Sequence, residues 1–399
     1  MQIYKSTLYR IYFYFALMVL ALSACYIMYS QETDGEGGGR TAIVGTILLA
    51  VWLGFGIKLF KKELIITKPS GTITLYATYC LWAFFISTVS SIGENTFRNI
   101  VDVMVITLFP LVLVIVTYYH ALNNEPKATQ KMFLIMTLMF AVTYYTFYDI
   151  ENILMNRHLG SSYYCLFMLP LVMSYPSKLV KVIGLLIVSI AIFSSVKRGG
   201  VLALLVSTFA YVIANQITAK RNRFTHFVIM ILTIGILGMI FAFIGTLGDS
   251  DIFERFENIG EDNGSGRTEV WAETWRLINT QDADTYIIGN GYNKVLENSR
   301  ELLSAHDDYL EAWYDYGIIG FVLYTISVLS LIWLTIKALR KKYEYASQLA
   351  MLTSIVIILS LISHIALYFW FSIVLLNIAF FAGNMRYQKV HEGQNEEED

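Results

Sequence analysis

Residues 264–271 read GSGRTEVW, residues 287–293 read IIGNGYN and residues 304–310 read SAHDDYL. All three stretches belong to one segment, 248–314, which is the longest polar part of the chain. The sequence on both sides consists of long apolar runs separated by short polar connections. A large polar segment on an apolar body predicts a membrane protein whose chemistry or recognition takes place in this loop, at the water interface.

Composition is typical of a polytopic membrane protein. Of the 399 residues, 56% are hydrophobic and 15% are charged, and the mean hydropathy is +0.54, whereas a soluble domain carries about 25% charged residues. The net charge is −2 and the chain has no basic cluster of the kind that binds nucleic acid, so we expect no nucleic-acid partner. The three cysteines lie in apolar runs, which leaves the polar segment without a disulfide framework or a Cys/His metal site.

The apolar runs predict about twelve membrane-spanning helices, because each crossing needs about 20 mostly apolar residues. The predicted fold class is therefore an all-α polytopic membrane protein. Its last two spans share one apolar run, with a hairpin near His364, to which we assign no functional partner. The predicted spans are 11–29, 41–57, 72–92, 100–119, 132–149, 160–176, 179–196, 199–217, 224–247, 315–336, 346–365 and 367–384.

Charge predicts the topology, since cytoplasmic loops of membrane proteins collect Lys and Arg. With both termini in the cytoplasm, the inner connections hold most of the 29 Lys and Arg residues. The large loop then lies outside. We divide one integrated domain into helices 1–9 (1–247), the large extracytoplasmic loop (248–314), helices 10–12 (315–384) and an acidic cytoplasmic tail (385–399), which we expect to be disordered from Glu392 to Asp399.

Lys197 and Arg198 depart from this charge bias, because they lie in a short outer connection, where cations are rare. They can be an interfacial pair that extends to lipid phosphates. They can also form an anion clamp, in which Arg198 donates a fork of hydrogen bonds and the two following glycines let a phosphate approach a helix N-terminus. Arg98, spaced by four residues from Glu94 and from Asp102, is more typical of a structural ion-pair ladder.

Apolar residues recur with helical spacing after Gly266 and predict an amphipathic helix at 267–279, with Ser265 as its N-cap. Arg267 falls in the first turn, where a cation opposes the helix dipole. A bound anion would offset this opposition. The tryptophans of the helix are explained by packing alone.

Ser304 and Asp307 resemble a capping box that opens a helix running to Tyr316 and ending at Gly317. His306 would lie in the first turn of this helix. The positive helix end disfavours an imidazolium there, whereas Asp307 acts in the opposite direction, so the sequence leaves the sign of the net pKa shift open. His306 is either a solvated surface residue or a proton acceptor.

Five short motifs, in their order and placement, resemble the O-antigen ligase/polymerase superfamily. They are KRG (197–199), SGRTEVW (265–271), GNG (289–291), AHDDYL (305–310) and GIIG (317–320). Twelve spans with one large loop between the ninth and tenth agree with this resemblance.

The resemblance implies a metal-independent, inverting glycosyltransferase with an integral-membrane fold of the GT-C type and no cofactor. Such an enzyme takes a glycan from an undecaprenyl diphosphate carrier on the outer face of the bacterial cytoplasmic membrane. Its expected partners are this donor, a glycan acceptor (a lipid-linked repeat unit or lipid A-core), membrane lipids and a chain-length regulator.

Carried over by position, Arg198 and Arg267 would bind the diphosphate and His306 would deprotonate the acceptor hydroxyl, with no metal ligand. In the family, Asn usually follows this histidine, and here Asp307 does; its carboxylate can raise the pKa of the base or orient the acceptor sugar. Lys197, Asp307 and Arg98 are supporting candidates.

Several functions stay open at this point. A repeat-unit polymerase would build an O-antigen, a capsule or an exopolysaccharide, and a ligase would transfer the finished glycan to lipid A-core. The acidic loop favours the polymerase, because a heavily phosphorylated acceptor would be repelled. A flippase for lipid-linked glycans is the alternative from another class, although the chain shows no internal repeat of the transporter kind. A sensor whose loop only binds a ligand is a third class.

Overall fold

The computed structural model describes most of the chain, with gaps. The ranges are 2–33, 46–54, 56, 68–90, 103–146, 162–195, 197–218, 235, 238, 266–300, 303–366 and 368–398. Arg98, all of the predicted span 224–247 except residues 235 and 238, and the first part of the large loop lie outside these ranges.

Every regular element in the described ranges is a helix, as the sequence predicts. The elements are α1 (Gln2–Thr33), α2 (Gly71–Ser90), α3 (Phe109–Asn123), α4 (Pro126–Thr146), α5 (Ser162–Met173), α6 (Lys178–Ser194), α7 (Arg198–Thr218), α8 (Arg267–Asn279), α9 (Ala283–Ile288), α10 (Lys294–Asn298), α11 (Asp308–Lys341), α12 (Ala346–Ile362) and α13 (Phe371–Glu398). Residues 46–54 are also helical, and a π-helix, Met104–Leu108, leads into α3.

Five helical segments in the described part of the chain are long and apolar enough to cross a membrane by length and composition. They are Arg10–Met28, Gly71–Ser90, Met104–Asn123, Arg198–Thr218 and Asp308–Lys341. α5 and α12 are shorter apolar helices. The total of twelve spans stays a prediction.

The helices pack around one aromatic-rich core, in which α5 is the central element. All of its residues are buried, and its neighbours include α4, α6, α12 and α13. Large apolar side chains also face outward, such as Leu179, Val142 and Trp333, which are 68%, 63% and 63% exposed. Exposed apolar side chains on several long helices are expected where lipid covers the surface.

The predicted tail is helical, because α13 continues to Glu398. Disorder is predicted only from Glu392 to Asp399, and the structure describes residues 392–398 as helical. The segment is rich in Glu and Gln, which favour helix once a preceding helix supplies the nucleus.

Gly317 breaks α11 close to its start, as the sequence predicts for the end of the loop helix. Its backbone has φ 67° and ψ −177°, a conformation that suits glycine. A Cβ atom at this position would overlap the backbone of Ile287 and of Gly289. The break therefore lets the turn at 287–291 cross α11 in direct backbone contact.

The loop is docked on this break by further hydrogen bonds. The backbone N–H of Gly291 donates to the carbonyl of Asp315 at 2.7 Å. The buried carboxylate of Asp315 accepts from the backbone N–H groups of Asn293 and Val295, each at 3.0 Å. The second half of the large loop is thus fixed to the start of a spanning helix.

Candidate active site

His306 lies immediately before the N-cap of α11, with φ 52°. The cap is Asp307, whose side chain accepts from the backbone N–H groups of Tyr309 and Leu310, each at 2.9 Å. The predicted capping box is therefore wrong, because Ser304 does not cap the helix and Asp307 is the N-cap instead of the third helical residue. His306 precedes the first turn instead of belonging to it.

The hydroxyl of Ser304 is directed to His364, a residue whose role the sequence did not reveal. Ser304 Oγ lies 2.8 Å from His364 Nε2, and His364 Nδ1 lies 3.2 Å from Glu311 Oε2. Glu311 Oε1 also accepts from the backbone N–H of Ala305 at 3.0 Å. The imidazole of His364 thus bridges Glu311 and Ser304, and its tautomer sets the direction of both hydrogen bonds.

The rings of His306 and His364 are in contact, with centroids 4.3 Å apart. On the other side of His364, Tyr368 stacks at a centroid distance of 5.0 Å and an interplanar angle of 28°. The side chain of His364 is 8% exposed and that of Glu311 is 14% exposed. His364 is thus enclosed, whereas His306 is half-buried and closer to solvent.

Asp308 fixes the connection that carries His364. Its carboxylate accepts from the backbone N–H groups of Ile365 (2.9 Å) and Ala366 (3.1 Å) and from the hydroxyl of Tyr324 (2.7 Å). Because Asp308 is the first residue of α11, the helix that follows His306 also holds the segment around His364 in place.

Asp308, Glu311 and His364 offer ligand atoms within 4.8 Å of one another, which is close enough for a metal ion. The carboxylate oxygens already accept from the N–H and O–H groups described above. This donor set stabilises the acids by hydrogen bonding, as buried carboxylates require. The chemistry of the cluster is therefore that of a proton-bearing network, and we assign it no cation.

Lys197 and the start of α7 lie beside this network, and both are close to Tyr163. The Nζ atom of Lys197 lies 5.2 Å from the centroid of the Tyr163 ring. A Cβ atom at Gly199 would come within 3.3 Å of Ile362 and 3.6 Å of the Tyr163 hydroxyl. Glycine at this position therefore allows α7 to pack closely against the end of α12, next to the connection that carries His364.

Arg267 starts α8, as predicted, and this helix spans the predicted residues 267–279. Gly266, with φ 73°, occupies the N-cap position, and the predicted cap, Ser265, lies outside the described ranges. Two other arginines of the loop are engaged elsewhere: Arg276 makes two hydrogen bonds to Glu273 at 2.7 and 2.8 Å, and Arg300 lies 3.8 Å from the same carboxylate.

The surroundings of His306 give the sign of its net pKa shift, which the sequence left open. Burial, followed by His364, Arg267 and Lys197, lowers the pKa of His306 to about 3. Burial also lowers the pKa of His364 to about 4, with Lys197 and Arg267 acting in the same direction. Both imidazoles are therefore neutral at pH 7. Burial raises the pKa of Asp307, against the effect of its hydrogen bonds to the helix N-terminus.

The structure thus groups His306, Asp307, Arg267 and Lys197 in one electrostatic environment. Arg198 is the first residue of α7, next to Lys197. The candidates that the sequence missed are His364 and Glu311. Asp308 and Glu311 are three residues apart, which places both acids on one face of a helix and could have marked Glu311 as a site residue. No feature of the local sequence marks His364.

Residues 183–325 match a family model described as O-Antigen ligase. The comparisons with curated proteins and with solved structures give no significant match. The matched region contains Lys197, Arg198, Arg267 and His306, and it ends before His364. The match supports the resemblance to the O-antigen ligase/polymerase superfamily seen in the sequence, a family of glycosyl-transferring membrane enzymes to which residues 183–325 of this chain are similar.

Proposed function

We propose that the protein polymerises undecaprenyl-diphosphate-linked oligosaccharide repeat units on the outer face of the cytoplasmic membrane. The observation that carries this proposal is the placement of a neutral imidazole, His306, within the electrostatic influence of Arg267 and Lys197, inside a region that matches the O-antigen ligase family. A base beside a cationic anion site is the arrangement that transfer from a diphosphate carrier requires.

In this proposal Arg267 and Lys197, with Arg198 at the adjacent helix start, hold the diphosphate. A diphosphate is a good leaving group, and fixed cations stabilise the charge that develops on it as the glycosidic bond breaks. The reaction then needs no metal ion. The acceptor oxygen attacks the anomeric carbon from the side opposite the diphosphate, so the configuration inverts.

His306 takes the proton of the acceptor hydroxyl. With the site empty, the two cations and burial keep its pKa low. A bound diphosphate neutralises those cations, so donor binding raises the pKa of His306 and makes it a stronger base when the acceptor is present. Proton transfer to a positioned base contributes roughly 100- to 10,000-fold to a rate.

His364 and Glu311 act as positioning residues for this base. Glu311 is hydrogen-bonded to His364 Nδ1 and fixes the orientation of this ring, which packs against His306. Ser304, bonded to His364 Nε2, presents a hydroxyl next to the same ring pair. These contacts limit the orientations that His306 can adopt.

The wider setting of the proposal is a GT-C-like body of twelve spans with both termini in the cytoplasm and the large loop outside. The partners are the lipid-linked donor, a lipid-linked glycan acceptor, membrane lipids and a chain-length regulator. A polymerase is favoured over a ligase to lipid A-core because the large loop, residues 248–314, carries fifteen acidic against five basic residues, and this negative charge disfavours a heavily phosphorylated acceptor.

The test is turnover of synthetic undecaprenyl-diphosphate repeat units by the purified full chain, with product length and anomeric configuration as readouts. Growth of carrier-linked chains by repeat units with inversion is expected. Transfer only to lipid A-core would identify a ligase. If the protein in liposomes moves lipid-linked glycan across the bilayer without chain growth, the proposal is contradicted in favour of a flippase.

A further inference from the structure

A cavity of about 780 Å³ opens at the end of the molecule opposite His306. It lies between the start of α2, the C-terminal part of α11 and the middle of α13. Ligand sites in proteins have volumes of about 300–1,000 Å³. The cavity is therefore large enough for a headgroup and the first part of an acyl chain.

The cavity is strongly cationic. Its described lining contains five basic side chains and no acidic one; the five are Lys68, Lys337, Lys341, Arg386 and Lys389. They come from three separate elements. The pairs on α11 and α13 are spaced by four and by three residues, which places each pair on one face of its helix. The nearby carboxylate of Glu344 accepts from Gln388 at 2.9 Å and is not part of this lining.

The position of the cavity along α11 indicates that the cavity lies at the membrane surface opposite the candidate active site. The helix from Gly317 to Lys337 extends roughly 30 Å at about 1.5 Å per residue, which equals the thickness of the hydrocarbon layer, about 30 Å. Glu311 and His306 lie near the N-terminal end of this helix, and Lys337 and Lys341 lie near its C-terminal end. The candidate active site and the cavity are therefore separated by the depth of the bilayer.

The cavity is also amphipathic. Next to the cations it is lined by apolar side chains, among them Leu75, Trp333 and Met385. Trp333 is 63% exposed on the outer surface of α11, where tryptophan is typical of the membrane interface. An occupant with an anionic head and an apolar tail matches both parts of this lining.

We propose that this cavity binds the phosphate-bearing headgroup of an anionic phospholipid in the membrane leaflet opposite the candidate active site. The general enrichment of cytoplasmic loops in Lys and Arg explains the number of cations at this end. It does not explain why three segments direct five of them to one concave space whose described lining contains no acid. Basic pockets between spanning helices on the cytoplasmic side are suited to anionic headgroups.

The occupant is tested with the purified full chain in nanodiscs of phosphatidylcholine with and without phosphatidylglycerol. Wild-type protein is expected to retain phosphatidylglycerol when ejected into a mass spectrometer and to show a higher apparent Tm in its presence. In the double variant Lys337→Glu with Lys341→Glu, we expect retention to fall on the order of tenfold, since each basic residue near an anionic surface contributes about 1 kcal/mol.

The matched control is Lys127→Glu with Lys131→Glu. These lysines are exposed on α4 and do not line the cavity. They lie just after α3, whose Tyr118 does line it. The control is expected to retain the lipid as wild type does. Equal loss in both double variants would mean nonspecific surface attraction, and equal retention of phosphatidylcholine and phosphatidylglycerol by wild type would also overturn the proposal.

A third arm distinguishes a lipid from a soluble phosphate compound. Inorganic phosphate and glycerol phosphate, added to protein in phosphatidylcholine nanodiscs, are expected to leave the apparent Tm unchanged at concentrations that match the lipid phosphate. An equal Tm increase with soluble phosphate would replace the lipid by a soluble ligand. If the charge-reversal variant is not monodisperse, Lys337→Gln with Lys341→Gln takes its place, and unchanged lipid retention by that variant overturns the proposal.

Discussion

The imidazole rings of His306 and His364 lie with their centroids 4.3 Å apart and their planes inclined by 39°. His306 precedes α11, and His364 follows α12. The contact therefore brings together two parts of the chain that are far apart in sequence. Since His364 is held by Glu311 and Ser304, the loop imidazole packs against a ring whose own orientation is fixed.

Replacement of Glu311 by Gln tests this positioning role. The variant keeps an acceptor for Ala305 but puts an amide in place of the carboxyl group that bonds His364 Nδ1, so we expect turnover to fall on the order of 10- to 100-fold, as for other residues that orient functional histidines. The pH profile of turnover should also shift. Glu297→Gln is the control, because Glu297 is an exposed loop acid paired with Lys294. A pH profile identical to that of wild type would contradict the role.

Arg267→Ala is expected to lower turnover about 100- to 1,000-fold, which is the usual cost of removing one group that stabilises transition-state charge. Arg276→Ala, on the same helix, should stay close to wild type because Arg276 is paired with Glu273. The measurement is chain growth from synthetic donor and acceptor by both variants. Equal losses would attribute the effect to α8 as a whole and not to an anion site.

The lowered histidine pKa values predict a loss of stability in acid. The ordinary pKa of histidine is about 6.5, whereas that of folded His306 is about 3. As the pH falls below about 6.5, the unfolded chain gains a proton that the folded chain does not bind, so the folded state loses stability between these two values.

His306→Asn should reduce this acid dependence, since Asn tolerates the positive φ of the position but does not titrate. The measurement is the difference in apparent Tm between pH 7.5 and pH 4.5 for the variant and for wild type. An unchanged difference would show that His306 is protonated in the folded protein and would contradict the low pKa.

Gly317→Ala should destabilise the protein by at least about 1–3 kcal/mol, the usual cost of a residue held in an unfavourable backbone region, with additional overlap against Ile287 and Gly289. Gly71→Ala is the control, because a Cβ there meets no atom within 4 Å. Thermal unfolding of both variants in detergent is the measurement. Similar Tm values for the two would contradict the close backbone crossing at Gly317.

Sequence reasoning succeeded where local rules decide the structure. The amphipathic helix 267–279 and the break at Gly317 follow from periodicity and from the need for a positive φ, and both are present. The capping assignment of Ser304 failed because its hydroxyl bonds to a histidine 60 residues later. A rule based on neighbours within four positions contains no information about such a partner.

The same limit explains why the site was only partly predicted. Arg267, Lys197 and His306 lie in short motifs, and their shared electrostatic environment arises from the packing of α7 and α12 around Tyr163. His364 lies in an apolar stretch without charged neighbours in sequence. Only the fold shows that Asp308 holds the segment next to His364 in place.

Asp308 has a consequence for the construction of hybrid enzymes. One buried carboxylate at the start of α11 sets the spacing between the two imidazoles, through its bonds to residues 365 and 366. A chimera that exchanges only residues 183–325 with a relative would import His306 and Asp308 but leave the recipient's own connection after α12 behind. Keeping the contact between the two imidazoles in a hybrid chain therefore requires that the two segments be moved as a pair.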